Sequence, residues 1–372
     1  MNRLIIIGNG FDLAHKLKTS YTDFIKWYWD QRVDSFQGND TNVSKDKLCT
    51  ITIRDGDATL SRWSLFYLQR HYYGYIKSDD KYEQIQEIKE QSDRFIFEFS
   101  PLMERIDKSI ETKGWVDIEN DYYTLLKETI KKQDCEYTAE ELNEQLAFLK
   151  DKLVEYLGTL EQPNRKDNLS SAMFSNFNLK DIAISRKKEV MGKLGIIEEN
   201  LRKIGIRKRL RLKHTMLLNF NYTDTVEQLY GNIGECNHIH GELSNPKNII
   251  FGYGDELDKD FKEIEDKNDN ELLKYAKSVR YLETGNYRDF LRFIEADLFQ
   301  VFIMGHSCGN SDRTLLHTVF EHKNCVSIKP FYHKKEDGSD NYLELVQNIS
   351  RNFNDKELLR DRVVNKERCE MI

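Results

Sequence analysis

Short, wholly apolar runs set between polar turns recur along the chain, and they mark strands buried on both faces. Leu4-Ile5-Ile6-Ile7 is the first, with the pattern of a covered parallel strand. Thr215-Met216-Leu217-Leu218-Asn219, Val301-Phe302-Ile303-Met304 and Val326–Tyr332 repeat it. His238-Ile239-His240-Gly241 predicts the end of a further strand, and Ile249-Ile250-Phe251 another that stops at Gly252. Elsewhere the spacing is helical. Ser20-Tyr21-Thr22-Asp23 opens a helix through Phe24, Trp27 and Tyr28, with Asp23 where a capping box has Glu. Residues 35–60 show no period and read as loop. From 60 to 160 the chain reads as helical, as in Phe95-Phe99-Met103-Ile106 and Leu142-Leu146-Leu149-Leu153-Leu157. Helices are also predicted at Thr225–Tyr230, across the acidic stretch 254–290, and near 341–353.

These elements predict an α/β fold, a Rossmann-like parallel sheet with a large helical insertion after the first strand. At 372 residues the chain is long enough for two folded units. A discontinuous nucleotide-binding domain is expected from residues 1–60 and 214–353, with a helical insertion domain at 61–213 and a C-terminal tail at 354–372. Ligands of open parallel sheets bind at the carboxyl ends of the strands. The polar clusters of this sequence fall at such ends.

Composition narrows the partners. Charged residues make up 32% of the chain, and mean hydropathy is -0.68. No apolar window approaches the ~18 residues of a membrane span, so no membrane partner is expected. A net charge of -7 disfavours nucleic acid, because phosphate-gripping proteins carry a basic excess. Cys49, Cys135, Cys236, Cys308, Cys325 and Cys369 form no CxxC pair, and no signal peptide precedes the first strand. Reduced thiols in the cytoplasm are expected.

The candidate chemistry sits in the turns. Gly8-Asn9-Gly10 follows the first strand directly, where two glycines can bring backbone N–H groups close to a pyrophosphate. The third glycine of the full dinucleotide pattern is replaced by Leu13, and a plain tight turn is the alternative. Asp12 can bond a ribose hydroxyl or the amides of its own loop. Asn221 can hold a water or a carboxamide, while Thr223 or Asp224 can cap the next helix. His238 and His240 would share one face if their strand extends that far. With no completing ligand recognised at a fixed spacing, no metal is predicted. Gly305-His306-Ser307 can admit phosphate or ribose, or its Ser307 and Asp312 can cap a helix near Arg313. The pentapeptide Gly305-His306-Ser307-Cys308-Gly309 also fits the serine-hydrolase elbow. A triad would then have to use Glu321 or a neighbour, followed by His333. Trp115-x-Asp117-x-Glu119 reads as a solvated helix face or as a pocket wall.

In order, these motifs resemble the bacterial abortive-infection AbiH family. The resemblance is carried by Ile5-Ile6-Ile7-Gly8-Asn9-Gly10-Phe11-Asp12-Leu13-Ala14, Ser20-Tyr21-x-Asp23-Phe24, Trp115-x-Asp117-x-Glu119, Asn219-Phe220-Asn221-Tyr222-Thr223-Asp224, His238-Ile239-His240-Gly241, Phe251-Gly252 and Met304-Gly305-His306-Ser307. A more distant resemblance is to sirtuin-like domains, including those of bacterial defence NAD hydrolases. It implies NAD as substrate or ligand, with Asn221 and His240 catalytic. Gly8, Asn9, Gly10, Asp12, Asp224, Gly241, Gly305 and Ser307 would line the dinucleotide. Asn9 departs from the usual alanine, and the asparagine-to-aspartate spacing is one residue longer, which puts the role of Asp224 in doubt. The paired cysteines of protein deacylases are missing, leaving simple NAD cleavage as the implied reaction. A non-catalytic sensor of NAD or ADP-ribose and a serine hydrolase using Ser307 are the alternatives. A phage-derived trigger is implied, and homo-oligomerisation stays open.

Overall fold

The computed structural model describes residues 1–35, 43–53, 86, 95–113, 117–132, 134–164, 167–195, 212–231, 234–335 and 337–372. They fall into two compact units. One contains Met1–Leu17, Leu160–Asn268 and Leu273–Ile372; the other contains Lys18–Thr159 and Asp269–Leu272.

In chain order, β1 (Asn2–Ile7) and α1 (Asn9–Ala14) open the first unit. The second unit supplies α2 (Tyr21–Ser35), β2 (Val43–Lys45), β3 (Cys49–Ile53), β4 (Phe95–Phe99), α3 (Pro101–Lys113), α4 (Ile118–Lys131) and α5 (Ala139–Leu157). The first unit resumes with α6 (Asp167–Met173), α7 (Lys187–Lys193), β5 (Thr215–Asn219), α8 (Thr225–Tyr230) and β6 (Glu235–His238). Then come α9 (Lys259–Asp266), α10 (Asn270–Leu273, begun in the second unit), α11 (Lys277–Arg280), α12 (Asn286–Ala296) and β7 (Phe299–Met304). The chain closes with α13 (Arg313–Phe320), β8 (Cys325–Phe331), α14 (Tyr342–Arg351) and α15 (Lys356–Arg362).

The first unit is built on a five-stranded, all-parallel sheet in the order β6-β5-β1-β7-β8. Every residue of β1, β7 and β8 is buried, which is why these strands read as apolar runs without alternation. Leu4 and Ile6 pack with Met216, Leu218, Val301 and Ile303 on one face. Ile5 and Ile7 pack with Leu217, Phe302 and Met304 on the other. Arg3 is one of the buried polar exceptions in these strands, with Asn2, Gln300, Ser327 and Lys329. Its guanidinium lies 4.0 Å from the Phe302 ring centre and donates to the Met173 carbonyl at 2.9 Å and to Gln300 Oε1 at 3.1 Å. The chain grows from β1 to one edge, then crosses to β7 on the other side. That reversal makes the carboxyl ends of β1 and β7 the switch point of the strand order, the place where open parallel sheets bind ligands.

The second unit holds a three-stranded antiparallel sheet, β2-β3-β4. Two expectations are corrected here. Val43–Lys45 and Cys49–Ile53 are strands rather than loop, and Phe95–Phe99 is strand rather than helix. The β-favouring run Phe-Ile-Phe-Glu-Phe outweighs the coincidental four-residue spacing of Phe95 and Phe99. In the first unit, Ile249–Phe251 is buried but forms no strand; Ile250 N–H instead donates to the His240 carbonyl at 2.8 Å. The units divide at Leu17/Lys18 and Thr159/Leu160, where the sequence reading places 60 and 213. The segment 354–372 is folded onto the sheet, with Val363 bridging Ile328 and Met371 bridging Tyr332. No described helix is long and apolar enough to cross a membrane.

Candidate functional site

Asp312 is the hub of a buried polar cluster at the carboxyl edge of the parallel sheet. It occupies the N-cap position of α13, yet its side chain makes no cap bond. Oδ1 instead accepts from Lys277 Nζ at 2.8 Å and lies 3.3 Å from His240 Nε2, while Oδ2 lies 3.4 Å from His306 Nε2. All four residues are buried, Lys277 to 1% exposure. The sequence reading offered Asp312 as a helix cap; the structure turns that carboxylate onto three cationic or N–H-bearing neighbours.

Local backbone chemistry aims the two imidazoles. β6 stops at His238, so His238 and His240 do not share a strand face, and the chain turns through Gly241 at φ +82°. Gly241 N–H donates to the His238 carbonyl at 3.0 Å. A Cβ on Gly241 would stand 2.4 Å from the Asn248 carbonyl oxygen, so this glycine serves the turn. After β7, Cys308 N–H donates to His306 Nδ1 at 2.9 Å. That bond places the ring proton on Nε2, facing Asp312. The Phe220 ring stands edge-on between the imidazoles, 5.1 Å from His240 and 4.3 Å from His306 between centres. Tyr281 stacks within 9° of the His240 plane and brings its hydroxyl 3.1 Å from Nε2.

Burial and charge set the protonation states. Burial, then the Lys277 ammonium, pushes His240 down to about 4, so its ring is neutral at physiological pH. Burial alone would raise Asp312, but Lys277 and the imidazoles outweigh it and hold the carboxyl well below its usual range. Asp12 goes the other way: burial pushes it up to about 6, with hydrogen bonds from Thr223, Thr225 and Asn221 pulling partly back. Thr223 Oγ1 donates to Asp12 Oδ2 at 2.6 Å, whereas the buried Oδ1 lacks a hydrogen-bond donor.

The other predicted residues divide into two groups. Gly8, Gly10, Asp12, Asn221 and Gly305 meet at the end of β1. Asn221 Nδ2 donates to the Gly8 carbonyl at 3.1 Å, and Gly10 N–H donates to the Gly305 carbonyl at 2.7 Å. The glycines interlock two loops, because a Cβ on Gly8 would lie 2.5 Å from His306 Cα and one on Gly305 2.0 Å from Phe11 N. The remaining three stand apart. Asn9 is exposed as the first residue of α1. Asp224 is exposed and accepts from Gln228 Nε2 at 2.7 Å. Ser307 is exposed and is not itself at positive φ; its loop reaches positive φ at Gly305, 75°, and Cys308, 56°. Both nitrogens of the adjacent His306 face Cys308 and Asp312, so that ring is not turned toward the Ser307 hydroxyl.

Lys277 and Tyr281 lie inside the acidic stretch and carried no sequence signal of their own. In the second unit, Asp117 caps α4 by accepting from Asn120 N–H at 3.1 Å and Glu119 is buried, so these two acids do not form a solvated helix face; Trp115 lies outside the described residues. A cavity of about 720 Å³ opens at the opposite, amino-terminal edge of the sheet, lined by Asn2, Lys213, His214, Thr215 and Arg292 among others, and carries no comparable cluster.

The family described as "Bacteriophage abortive infection AbiH" matches residues 4–333. No curated protein and no solved structure matches the chain.

Proposed function

Since the chain belongs to the bacteriophage abortive infection AbiH family, we propose that it acts in phage defence by cleaving the nicotinamide–ribose bond of NAD at the carboxyl edge of its parallel sheet. The observation that carries this reading is the Asp312 carboxylate set between the Nε2 atoms of His240 and His306, at 3.3 and 3.4 Å. An imidazole whose one nitrogen faces a carboxylate has its tautomer chosen for it, and the other nitrogen is left to take a proton. For His240 that nitrogen is Nδ1. Support also comes from the sheet order with β1 at its centre, which suits a Rossmann-like nucleotide fold. The glycine turn, the half-satisfied Asp12 and the sirtuin-like order of motifs add to it.

In this reading the glycosidic C–N bond breaks with its electron pair leaving on the nicotinamide nitrogen. A water oxygen bonds the anomeric carbon, and its proton passes to His240. Asn221 orients the water, while Asp12 and Ser307 are the ribose or phosphate contacts. The positioned base supplies ~10²–10⁴ in rate. A phage-derived trigger in the cytoplasm would start the reaction.

Non-catalytic binding of NAD or ADP-ribose is the second reading. It draws on a different observation: the Gly10 amide is already bonded to Gly305, and His240 is only 4% exposed. Purified protein incubated with NAD, with free nicotinamide quantified, separates the two. Release by the wild type and none by folded His240→Ala is expected. Release retained in His240→Ala removes His240 as base. Saturable NAD binding without release, in the presence of phage lysate as trigger, favours the sensor.

A further inference from the structure

A second cluster at the sheet edge has the composition of a metal centre, and it is independent of the NAD reading. Cys236 and His238 alternate along β6 and so project from one face of that strand. The preceding helix, α8, lays Glu227 across the same face. The thiol, an imidazole nitrogen and a carboxylate oxygen all lie within 4.8 Å of one another. The sequence reading set a metal aside for want of a third ligand. Cys236, two residues before His238, was that missed signal; the fold then supplies the carboxylate.

Three details favour a site over a chance meeting. First, the His238 ring is already oriented: Nδ1 faces the Asn221 carbonyl at 3.3 Å and Nε2 faces Glu227 Oε1 at 2.6 Å. Metal-binding imidazoles are held this way, with the far N–H on a carbonyl and the near nitrogen, once deprotonated, on the metal. Second, Glu227 Oε2 is buried with no nitrogen or oxygen donor on it, and the Cys236 thiol is its neighbour. Third, the donor set is one sulfur, one nitrogen and one carboxylate oxygen, a mix that suits zinc and disfavours magnesium or calcium.

We propose that Glu227, Cys236 and His238 bind one zinc ion, with water in the fourth position. Tetrahedral zinc places its ligand atoms about 3.3–3.6 Å apart, so the cluster needs only small side-chain adjustments. On binding, the Cys236 thiol and the His238–Glu227 hydrogen bond each release a proton to solvent, and that hydrogen bond gives way to two metal bonds. The ion then ties α8 to β6 and, through His238 Nδ1, steadies the Asn221 loop.

The test uses the full chain stripped with a chelator and titrated with zinc, then with cobalt as a spectroscopic stand-in. About one zinc per chain is expected, and cobalt should give the near-ultraviolet band of a thiolate ligand. Cys236→Ser should abolish that band, and His238→Gln should weaken zinc binding by about tenfold or more. Cys369→Ser should change neither. Glu227→Gln, at a half-exposed position, keeps the test available if the strand variants fail to fold, and it too should weaken zinc. A folded protein with no thiolate band, or with zinc affinity unchanged in all three ligand variants, overturns the proposal. The cluster is then a plain His238–Glu227 hydrogen bond beside an inert thiol. Nicotinamide release is a separate readout, so failure here does not bear on the NAD reading.

Discussion

Asp312→Asn removes one charge at nearly constant volume, and so isolates what that charge does. In the native protein the carboxylate faces the Lys277 ammonium at 2.8 Å and two imidazole Nε2 atoms at 3.3 and 3.4 Å. Lys277 is 1% exposed, so no water can take over for the lost partner. Breaking a buried pair from one side costs roughly 3–5 kcal/mol, whether the ammonium stays charged or sheds its proton. Against a typical total stability of about 5–15 kcal/mol, that is a large loss. The double variant Asp312→Asn/Lys277→Met removes the ammonium as well. Replacing both members of a buried pair is often close to neutral, so it should recover most of the deficit. Urea denaturation at neutral pH, compared at matched slopes, reads both effects. The reasoning fails if the single variant lies within about 1 kcal/mol of wild type, or if the double variant is no more stable than the single.

Two further outcomes follow from the same edge of the sheet. Asp12 titrates near 6 when folded, against 3.8 as the ordinary value, so its folded pKa is raised. Its stabilising contribution is therefore complete below pH 3.8 and is lost as pH rises through about 6. The span is about two units, or roughly 3 kcal/mol. The stability difference between wild type and Asp12→Asn should change by about that much across this window, and parallel pH curves would refute it. Gly305→Ala should be severely destabilising, since its Cβ would meet Phe11 N at 2.0 Å. Gly338→Ala, also at positive φ but with nothing within 4 Å, should cost only about 1 kcal/mol for its left-handed backbone. Equal shifts in melting temperature would deny the interlock of the β1 and β7 loops.

The parallel sheet was legible because its strands are buried on both faces, so Leu4–Ile7, Leu217–Leu218 and Val301–Met304 need no alternation to be recognised. The antiparallel strands of the second unit were not. β3 and β4 pair across 41 intervening residues, from Cys49–Ile53 to Phe95–Phe99, and only that distant pairing decides that Phe95–Phe99 is extended. The same contrast holds at the site. His240 and Asn221 were visible because they end strands of the sheet or lie just past them. Asp312 was hidden by an innocent position, since an aspartate ahead of a helix reads as a cap. Lys277 was hidden by its surroundings: in an acidic stretch a lysine reads as a solvated charge, and nothing local announces that its ammonium is buried.

Asn221 links the two clusters at this edge, and its two ends do different things. Its side chain donates to the Gly8 carbonyl and eases the buried Asp12 carboxyl, so it belongs to the turn that follows β1. Its backbone carbonyl faces His238 Nδ1, so it also sets the ring that faces Glu227. A side-chain truncation would strip the first role and leave the second, because the carbonyl stays. The reverse holds at His238, whose ring can be changed without touching the Asn221 amide. The two proposed chemistries therefore share a loop but not an atom. That is the condition under which a metal bound at the sheet edge could steady the turn at β1 while contributing nothing to bond cleavage.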